Sequence, residues 1–203
     1  MKRLVIIGAS GHGKVCANIA QRMKRWETLA FLDDNKHGHI HTFPIVGPIN
    51  LTHIQPHDDV FVALGDNHLR SEISDKLIEN DCSLVTLIDP SAFIGLGVQL
   101  GLGSVVMPHA VINADAHIGQ GVIINSTSVI EHDCNIEDYV HISPRASLAG
   151  NCTVGQNTWI GMGSSVIQNI KIVDDVMVGA GSVVIDDIDE PGVYVGCPVR
   201  KIK

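Results

Sequence analysis

A histidine and an aspartate stand side by side at His132-Asp133, and such a pair can perform acid–base chemistry. A neutral imidazole is a good base near pH 7 and can take a proton from an attacking amine or hydroxyl. The adjacent carboxylate can orient the ring or raise its basicity. Taken alone, one of 11 histidines is more often an idle surface residue. His132 is therefore a candidate general base, and the residues around it decide between a catalytic and an idle histidine.

A second candidate site is the glycine-rich turn Gly8-Ala9-Ser10-Gly11-His12-Gly13-Lys14, which follows a short apolar segment. A glycine turn between a strand and a helix exposes backbone N–H groups at the helix N-terminus, which suits a phosphate. The turn does not match a magnesium-nucleotide loop, because Val15 stands where such loops have Ser or Thr. Its glycine spacing also differs from the dinucleotide fingerprint. A tight turn without a ligand is the alternative.

The region that must position His132 has a strict period of six. From Ile88 to Val184 every sixth residue is Ile, Leu or Val, which gives seventeen positions without a break. A helix repeats its apolar residues about every 3.6 positions and a half-buried strand about every two, so neither explains this period. A parallel β-helix does, since each hexad forms one flat strand and one corner. Three hexads then make one triangular coil of about eighteen residues.

The coil period relates His132 to a glycine. His132 comes two residues after Ile130, which places it at a corner, and Gly150 follows eighteen residues later, one coil above. A glycine leaves room for a substrate beside the imidazole. Its backbone N–H, if it points outward, would hold the oxyanion of a tetrahedral intermediate. A glycine required by a turn is the alternative. The residues two positions before each aliphatic position are small or Val, except Ile170, which suits tight corners.

The histidines also raise the question of a metal site. Hexapeptide-repeat carbonic anhydrases bind zinc through three histidines, two of which lie five residues apart. The histidines of the repeat region are His109, His117, His132 and His141, and no pair among them has that spacing. We therefore expect no zinc site.

The N-terminal part has a different pattern and is predicted to form its own domain. Apolar strands at 4–7, 28–32 and 59–64 alternate with helical patterns at 15–25 and 68–80. The second helix is expected to bury Leu69, Ile73, Leu77 and Ile78 on one face. Such alternation predicts a parallel sheet. We assign residues 1–86 to a small Rossmann-like α/β domain, and residues 87–203 to the parallel β-helix with its C-terminal tail. A last strand, at 83–88, leads from one to the other.

Composition excludes several classes of protein. The net charge of −8 argues against a nucleic-acid binder, which usually presents a basic patch. No apolar segment is long enough to span a membrane, and the N-terminal apolar run is too short for a signal peptide. The five cysteines form no CxxC pair, which favours a reducing compartment. We expect a cytoplasmic protein.

Several segments together carry a resemblance to a known family. They are the hexad array, the glycine turn, the pair Asp33-Asp34, the segment 125–133 (NSTSVIEHD) and the closing Val195-Gly196-Cys197-Pro198. With these features the chain resembles, over essentially its whole length, the bacterial sugar acetyltransferases. That group includes UDP-4-amino-sugar (bacillosamine-type) N-acetyltransferases and sialic-acid O-acetyltransferases. The resemblance implies a left-handed β-helix, a homotrimer and acetyl-CoA as co-substrate.

The resemblance also implies roles for residues of the β-helix. His132 becomes the catalytic base, and Asp133, which has a shorter side chain than the glutamate that the family often has there, is implied to tune it. His141, Met162 and Ala180 match positions that line the acetyl-CoA groove. Met162 and Ala180 are eighteen residues apart and should stack along an extended pantetheine arm, although plain coil packing is the alternative. A further hypothesis is that Asn125 forms a hydrogen bond near the base.

For the N-terminal domain, the resemblance implies that the ligand of the glycine turn is a nucleotide sugar. The residues implied to bind it are Ser10, Gly11 and His12 at the diphosphate or sugar, Asp33 and Asp34 at uracil or ribose, and Gly65 beside the base. A tight turn with solvated acidic side chains is the alternative.

The predicted function is transfer of an acetyl group from acetyl-CoA to the 4-amino group of a nucleotide-linked deoxy amino sugar. His132 acts as general base, and no metal is needed. Three alternatives stay open: a sialic-acid or related sugar O-acetyltransferase with the same base, a nucleotide or dinucleotide enzyme built on the N-terminal glycines, and a scaffold that has lost its chemistry. The sequence does not define the sugar, the nucleotide or the pathway.

Overall fold

The computed structural model describes residues 2–203, which form an α/β unit followed by a parallel β-helix. The elements of the α/β unit are β1 (Arg3–Ile7), α1 (Gly11–Met23), β2 (Thr28–Leu32), β3 (His39–Ile40), β4 (Phe43–Gly47), a 3₁₀ turn (Leu51–His53), β5 (Asp59–Val62), α2 (Asn67–Glu79) and β6 (Ser83–Leu84). The strands form one sheet in the order β3-β4-β2-β1-β5-β6. All neighbouring pairs are parallel except β3 and β4.

The centre of this sheet is buried on both sides. β1 and β2 are continuous apolar runs that are buried after their first residue, as is typical of parallel strands covered on both faces. Successive strands lie on opposite sides of β1, so the chain order reverses there. Ligands of open α/β sheets bind at the carboxyl ends of the strands beside such a reversal. The glycine turn, Asp33 and Gly65 all follow strands at this edge.

The β-helix has three parallel ladders, one for each face of a triangular prism, and each strand pairs with the strand eighteen residues later. The first face contains Leu87–Ile88, Val105–Val106, Ile123–Ile124, His141–Ile142, Trp159–Ile160 and Val176–Val178, and is extended by Gly192–Gly196 and Val199–Lys201. The second face contains Phe93–Ile94, Val111–Ile112, Val129–Ile130, Ser147–Leu148, Ser165–Val166 and Val183–Val184. The third face contains Gln99–Leu100, His117–Ile118, Asn135–Ile136, Thr153–Val154 and Lys171–Ile172.

The interior of the prism is filled by the aliphatic residues of the six-residue period. They are buried from Val106 to Val184, and only those of the first coil, Ile88, Ile94 and Leu100, are partly exposed. The small residues also face inward, and their polar groups are paired; the Ser104 hydroxyl, for example, donates to the Gly119 carbonyl at 2.8 Å. The predicted fold class, a small parallel α/β domain followed by a hexapeptide β-helix, is confirmed.

The corners of the prism have their own period of six, which the sequence analysis missed. Fifteen residues at six-residue intervals from Gly97 to Gly181 have φ between 57° and 73°. This left-handed region is favourable for glycine and tolerated best by Asn and Asp among other residues. Asp133 occupies one of these positions, with φ 60°. The aspartate after His132 therefore has a backbone reason to be there besides any contact with the ring.

Four details of the α/β unit differ from the prediction. α1 begins at Gly11, directly after the glycine turn, and β3 and β4 were not predicted. The predicted strand at 83–88 is divided between β6 and the first strand of the β-helix. The predicted apolar face of α2 is wrong for Leu69 and Ile78, which are 44% and 42% exposed. The helix instead buries Asn67, Arg70, Ser74 and Leu77, because its polar residues pack against the β-helix.

Candidate active site

His132 lies at the corner between the second and third faces, after Val129–Ile130 and before Asn135–Ile136. Its side chain is exposed, and its Nδ1 lies 2.7 Å from Oδ2 of Asp133. The hydrogen bond to Asp133 raises the pKa of His132 above its ordinary value of 6.5, although slight desolvation opposes this, and the charges of Asp133 and Glu131 add to the rise. Because a carboxylate only accepts, we infer that Nδ1 carries the proton in the neutral ring. The Nε2 atom is then the free base.

Gly150 lies directly beside this imidazole, as the coil period predicts. A Cβ at Gly150 would lie 2.6 Å from Cε1 and 2.7 Å from Nε2 of His132. Gly150 is not among the residues with positive φ, so its backbone does not demand glycine, but any side chain there would push the His132 ring aside. Within residues 2–203, the Gly150 N–H donates to no backbone or side-chain acceptor, which leaves it available to an external oxygen.

His141, Met162 and Ala180 come together in one cavity of about 380 Å³ at the edge of the first face. The lining residues are His141, Ser143, Pro144, Trp159, Gly161, Met162, Met177, Val178, Gly179 and Ala180. Met162 and Ala180 lie at the same corner of successive coils, as predicted, and the Gly181 N–H donates to the Met162 carbonyl at 2.8 Å. No lining side chain is an acid, a lysine or an arginine, so the cavity suits an uncharged, partly apolar chain.

His141 is the most constrained polar group of this cavity. Its ring stacks on Trp159 with a centroid distance of 5.0 Å, and its Nε2 lies 3.1 Å from Nδ2 of Asn125. Burial lowers the pKa of His141 to about 3, helped by the positive charge of Arg70 and by His12 when that ring is protonated at low pH, so the His141 ring is neutral at pH 7. Its Nδ1 is buried without a hydrogen-bond partner in the described chain. Within one chain Asn125 contacts His141, and the hypothesis that Asn125 lies near the base stays a prediction.

Within one chain, the base and the cavity lie on different parts of the prism. His141 and Trp159 belong to the first face, whereas His132 lies at the corner where the second face meets the third. That corner is the one of the three that does not border the first face. A single chain therefore does not bring His132 to the cavity of His141, Met162 and Ala180.

The glycine turn forms a tight start to α1. Ser10 is the N-cap residue and, like Gly11, is exposed, and a Cβ at Gly13 would overlap the Gly8 carbonyl oxygen. His12 is half-buried, and its Nε2 lies 3.8 Å from Sγ of Cys16. Burial and the positive charge of Arg70 lower the pKa of His12 to about 4. His12 is thus a neutral hydrogen-bonding group and not a cation for a diphosphate.

The two residues of the acidic pair, Asp33 and Asp34, have different hydrogen-bond partners. Asp33 accepts hydrogen bonds from the backbone N–H groups of Ala9 at 2.7 Å, Asn35 at 3.0 Å and Lys36 at 2.9 Å. Burial raises the pKa of Asp33, but these hydrogen bonds outweigh it, so the pKa lies below its ordinary value. The carboxylate of Asp33 is therefore occupied with fixing the glycine turn to the end of β2. Only its remaining lone pairs are free for a ligand.

Asp34 accepts a hydrogen bond from the Ile49 N–H at 2.8 Å and lines a separate cavity of about 400 Å³. This cavity lies between the ends of β1 and β2, the segment after β4 and the exposed side of α2. It contacts apolar side chains such as Ile49 and Leu69, with polar groups such as Glu72 at its rim. Gly65 is exposed in the short segment between β5 and α2, with open space beside its Cα.

The structure also identifies residues that sequence analysis missed. Arg70 is almost completely buried and reaches the β-helix, although arginine is rarely buried without many partners. Trp159 supplies the ring on which His141 stacks. The only sequence signal for Trp159 was its position, eighteen residues after His141. The described residues 2–203 contain no group of three or more His, Cys, Asp or Glu side chains that could hold a metal ion. No helix in the same range is long and apolar enough to cross a membrane.

Comparison with known proteins gives the same division of the chain. Residues 3–77 match the PglD N-terminal domain, and residues 151–186 match the bacterial transferase hexapeptide repeats. A UDP-N-acetylbacillosamine N-acetyltransferase of Bacillus subtilis (strain 168) is 38% identical over 112 residues, 53% of this chain. The aligned segment spans about half, 52%, of that curated relative.

Two solved structures are similar over nearly the whole chain. The acetyltransferase domain of PglB from Neisseria gonorrhoeae FA1090, in complex with acetyl coenzyme A, is 36% identical with a TM-score of 0.96, covering 98% of both chains. PerB from Caulobacter crescentus, in complex with CoA and GDP-perosamine, is 36% identical with a TM-score of 0.93, covering 98% of this chain and 97% of that one.

The fold and the match to the hexapeptide repeats define a transferase of the hexapeptide-repeat class. Within this class, the N-terminal α/β unit and the similarity to PglB and PerB over nearly the whole chain indicate the enzymes that act on sugars. The chain belongs to the hexapeptide-repeat sugar acetyltransferase family. The family predicted from the sequence is thereby confirmed.

Proposed function

We propose that this chain transfers the acetyl group of acetyl-CoA to the 4-amino group of a nucleotide-linked deoxy amino sugar. The observation that carries the proposal is the pairing of His132 with Gly150. The imidazole is held by Asp133 at Nδ1, and its free Nε2 side faces a glycine whose N–H is unpaired within residues 2–203. A base and an amide donor side by side are what acyl transfer to an amine needs.

In the proposed reaction, the sugar amine attacks the thioester carbonyl carbon, and its proton passes to Nε2 of His132. The C–N bond forms first and gives a tetrahedral intermediate with a negatively charged oxygen, and the C–S bond then breaks as the carbonyl re-forms. The Gly150 N–H donates to the carbonyl oxygen while that oxygen carries negative charge. His132 then returns its proton to the leaving thiolate, which departs as free CoA. No metal is required, because a thioester is already activated and a neutral amine is a strong nucleophile.

The two substrates are assigned to separate sites. We place the pantetheine arm of acetyl-CoA in the cavity of His141, Met162 and Ala180. We place the nucleotide sugar at the carboxyl edge of the α/β sheet, with its diphosphate at Ser10 and Gly11. The related PglB domain binds acetyl coenzyme A, and the related PerB binds CoA and GDP-perosamine, which supports both assignments.

In the same proposal, residues 1–86 hold the nucleotide sugar and residues 87–203 hold acetyl-CoA. His12 meets the sugar, Asp33 and Asp34 meet the ribose or base, and Gly65 lies beside the base. The five free cysteines agree with a cytoplasmic enzyme. Acetyl-CoA is the only co-substrate that the proposal requires, and neither nucleic acid nor membrane takes part.

We further propose that the enzyme acts as a homotrimer with its sites between subunits. Since His132 and the acetyl-CoA cavity lie on different parts of one prism, a neighbouring chain must supply one of them. The second face, which ends at the His132 corner, presents Phe93, Val111 and Val129 outward, and Phe93 is 55% exposed. A face of this kind on a soluble prism is suited to another copy of the chain.

Mixed trimers test this arrangement. The variant His132→Ala has an intact cavity, whereas Ala180→Trp has an intact base and a cavity filled by an indole. Each variant alone is expected to be nearly inactive. Co-expressed in equal amounts, they should recover about a quarter of wild-type activity, because that share of subunit boundaries joins an intact base to an intact cavity. Activity no higher than that of the separate variants would contradict a shared site. Wild-type chains diluted with the double variant serve as control.

Replacement of Asp133 by Asn tests how the base is tuned. The amide oxygen still accepts from Nδ1, so the ring keeps its orientation, but the negative charge that raises the pKa of His132 is lost. Since the neutral ring is the active form, the acid limb of the kcat/KM profile should move to lower pH. Glu131→Gln is the matched control and should cause a smaller shift, because Glu131 acts on the ring only through its charge. A limb that stays in place or moves upward would rule out this tuning role.

The proposed activity is tested by measuring CoA release with three acceptors in parallel. These are a UDP-4-amino sugar, a GDP-4-amino sugar and free sialic acid. Release with a nucleotide amino sugar and none with sialic acid is the expected result. Release with sialic acid alone would replace the proposal with the O-acetyltransferase alternative. Binding of acetyl-CoA without turnover on any of the three would favour a scaffold that has lost its chemistry.

A further inference from the structure

The N-terminal turn of α2 makes an unusual contact with the β-helix. Arg70 is 1% exposed, yet its guanidinium faces no carboxylate at hydrogen-bond distance. Its Nε donates to the Gly121 carbonyl at 2.7 Å, and its two terminal nitrogens donate to the carbonyls of Leu64 at 3.0 Å and Tyr139 at 2.7 Å. A fourth bond, at 2.8 Å, goes to Oδ1 of Asn67. All four hydrogen bonds of this buried arginine therefore go to uncharged oxygen atoms, and the charge of Asp66 acts on it only from beyond hydrogen-bond distance.

Asn67 extends the same contact by one more coil. Its Nδ2 donates to the Asn157 carbonyl at 2.8 Å and to the Thr158 carbonyl at 3.3 Å. His68 reaches the coil after that, with Nε2 3.2 Å from Oδ1 of Asp175. One helical turn therefore contacts residues of four successive coils.

The contacted positions on the β-helix are equivalent to one another. Gly121, Tyr139, Asn157 and Asp175 are eighteen residues apart, and all have φ between 57° and 62°. They form the corner where the third face meets the first. The N-terminal turn of α2 therefore contacts a vertical row of corner positions. At three of them it donates to backbone carbonyl oxygens that accept no hydrogen bond from a neighbouring strand.

This row lies next to both proposed substrate sites. Tyr139 comes two residues before His141, whose ring stacks in the acetyl-CoA cavity, and Asn157 comes two residues before Trp159. At its other end, Arg70 holds the carbonyl of Leu64, directly before Gly65 at the carboxyl edge of the sheet. The N-terminal turn of α2 thus joins the two proposed sites through hydrogen bonds, most of which are buried.

We propose that Asn67 and Arg70 are positioning residues that set the distance and register between the nucleotide-sugar edge and the acetyl-CoA cavity. The inference rests on the proposed function, because the two substrate sites are proposed ones. The contacts of Asn67 and Arg70 that connect the α/β unit to the β-helix belong to the structure itself. Neither residue touches a reacting atom. Their effect is on geometry, and a misplacement of about 1 Å can cost about 10²-fold in rate. Turnover should therefore depend on them more than either binding constant does.

The main test uses Asn67→Ala, since Arg70 is central enough that its removal can prevent folding. The matched control is Arg22→Ala, which removes another bond between the two units, from Arg22 to the buried Asp89 at 2.7 Å, below the first coil contacted by α2. Asn67→Ala should lower kcat by about tenfold or more, with the KM for acetyl-CoA and for the sugar nucleotide within about twofold of wild type. Arg22→Ala should keep kcat. Arg70→Lys, which keeps the charge but cannot bond all four acceptors, should resemble Asn67→Ala.

A second measurement requires no substrate. Hydrogen exchange at the amides of residues 137–143 should be faster in Asn67→Ala than in wild type and unchanged in Arg22→Ala. If the wild-type chain acetylates none of the acceptors, the proposed function fails, and exchange alone decides the coupling. Unchanged exchange in Asn67→Ala would overturn the inference. So would equal effects of Asn67→Ala and Arg22→Ala, or a lower melting temperature with kcat unchanged, since these indicate a structural role only.

Discussion

Replacement of His132 by Ala is expected to lower kcat by at least about 10²-fold, within the usual range for loss of a general base. The reason lies in the site: Nε2 is the free basic atom of a ring that lies beside Gly150, and Nδ1 is already committed to Asp133. The KM for acetyl-CoA should change little, because the cavity that we assign to it is on the first face. The measurement is steady-state CoA release at saturating acceptor, over a range of pH.

The matched control for this prediction is His117→Ala. His117 is also an exposed histidine of the β-helix, but it begins a strand of the third face and has no partner in the proposed reaction. It should keep wild-type turnover. Size-exclusion chromatography with light scattering should give the same mass for both variants and the wild type. Near-normal turnover in His132→Ala would refute its role as base and leave the proposed mechanism without a proton acceptor.

The β-helix could be predicted from the sequence because its rule is local and repeated. One aliphatic residue every six positions is sufficient to fix which side chains point inward, and the coil of eighteen residues then follows. The same arithmetic placed Gly150 beside His132 and stacked Met162 with Ala180, and the structure has both pairs in contact or in one cavity. A periodic rule therefore predicts well which residues of successive coils lie next to one another along the prism axis.

Contacts between the two units could not be predicted in this way, because no period connects them. The helix α2 shows the difficulty: its apolar residues suggested one buried face, yet Arg70 and Asn67 are buried and Leu69 is exposed. The unsatisfied carbonyls of the β-helix corner outweigh apolar burial there, since a buried carbonyl needs a donor. A sequence shows no sign of which carbonyls are free.

The lowered pKa of His141 could not be predicted from the sequence either, because it also depends on contacts between distant segments. His141 appeared as a groove residue in sequence, with nothing to indicate that its pKa would fall to about 3. Burial against Trp159 and proximity to Arg70 and His12 produce that shift, and each of these neighbours comes from a distant segment. A neutral His141 with a buried, unpartnered Nδ1 can bond to an amide or carbonyl of a bound chain without repelling it. We therefore propose that His141 acts as a hydrogen-bonding group, whereas His132, exposed and raised in pKa, accepts the proton.

The second large effect is expected from Gly150→Ala, in which one methyl group should lower kcat by about 10²-fold or more. Gly150 has no positive φ, so its backbone accepts alanine without strain. The new Cβ would lie 2.6 to 2.7 Å from Cε1 and Nε2 of His132, closer than real contacts allow. The imidazole must therefore rotate away from Gly150, and the base loses its placement relative to the proposed oxyanion donor.

The control for Gly150→Ala is Thr153→Ala, which changes an outward side chain of the same coil away from the imidazole. It should retain wild-type kcat, and both variants should melt close to the wild-type temperature. The acid limb of the Gly150→Ala profile adds a second criterion. A ring that has rotated away from Asp133 loses the hydrogen bond that raises its pKa, so the residual activity should titrate at lower pH than in wild type. Full activity in Gly150→Ala would mean that neither the space beside Nε2 nor the position of the His132 ring matters for the reaction.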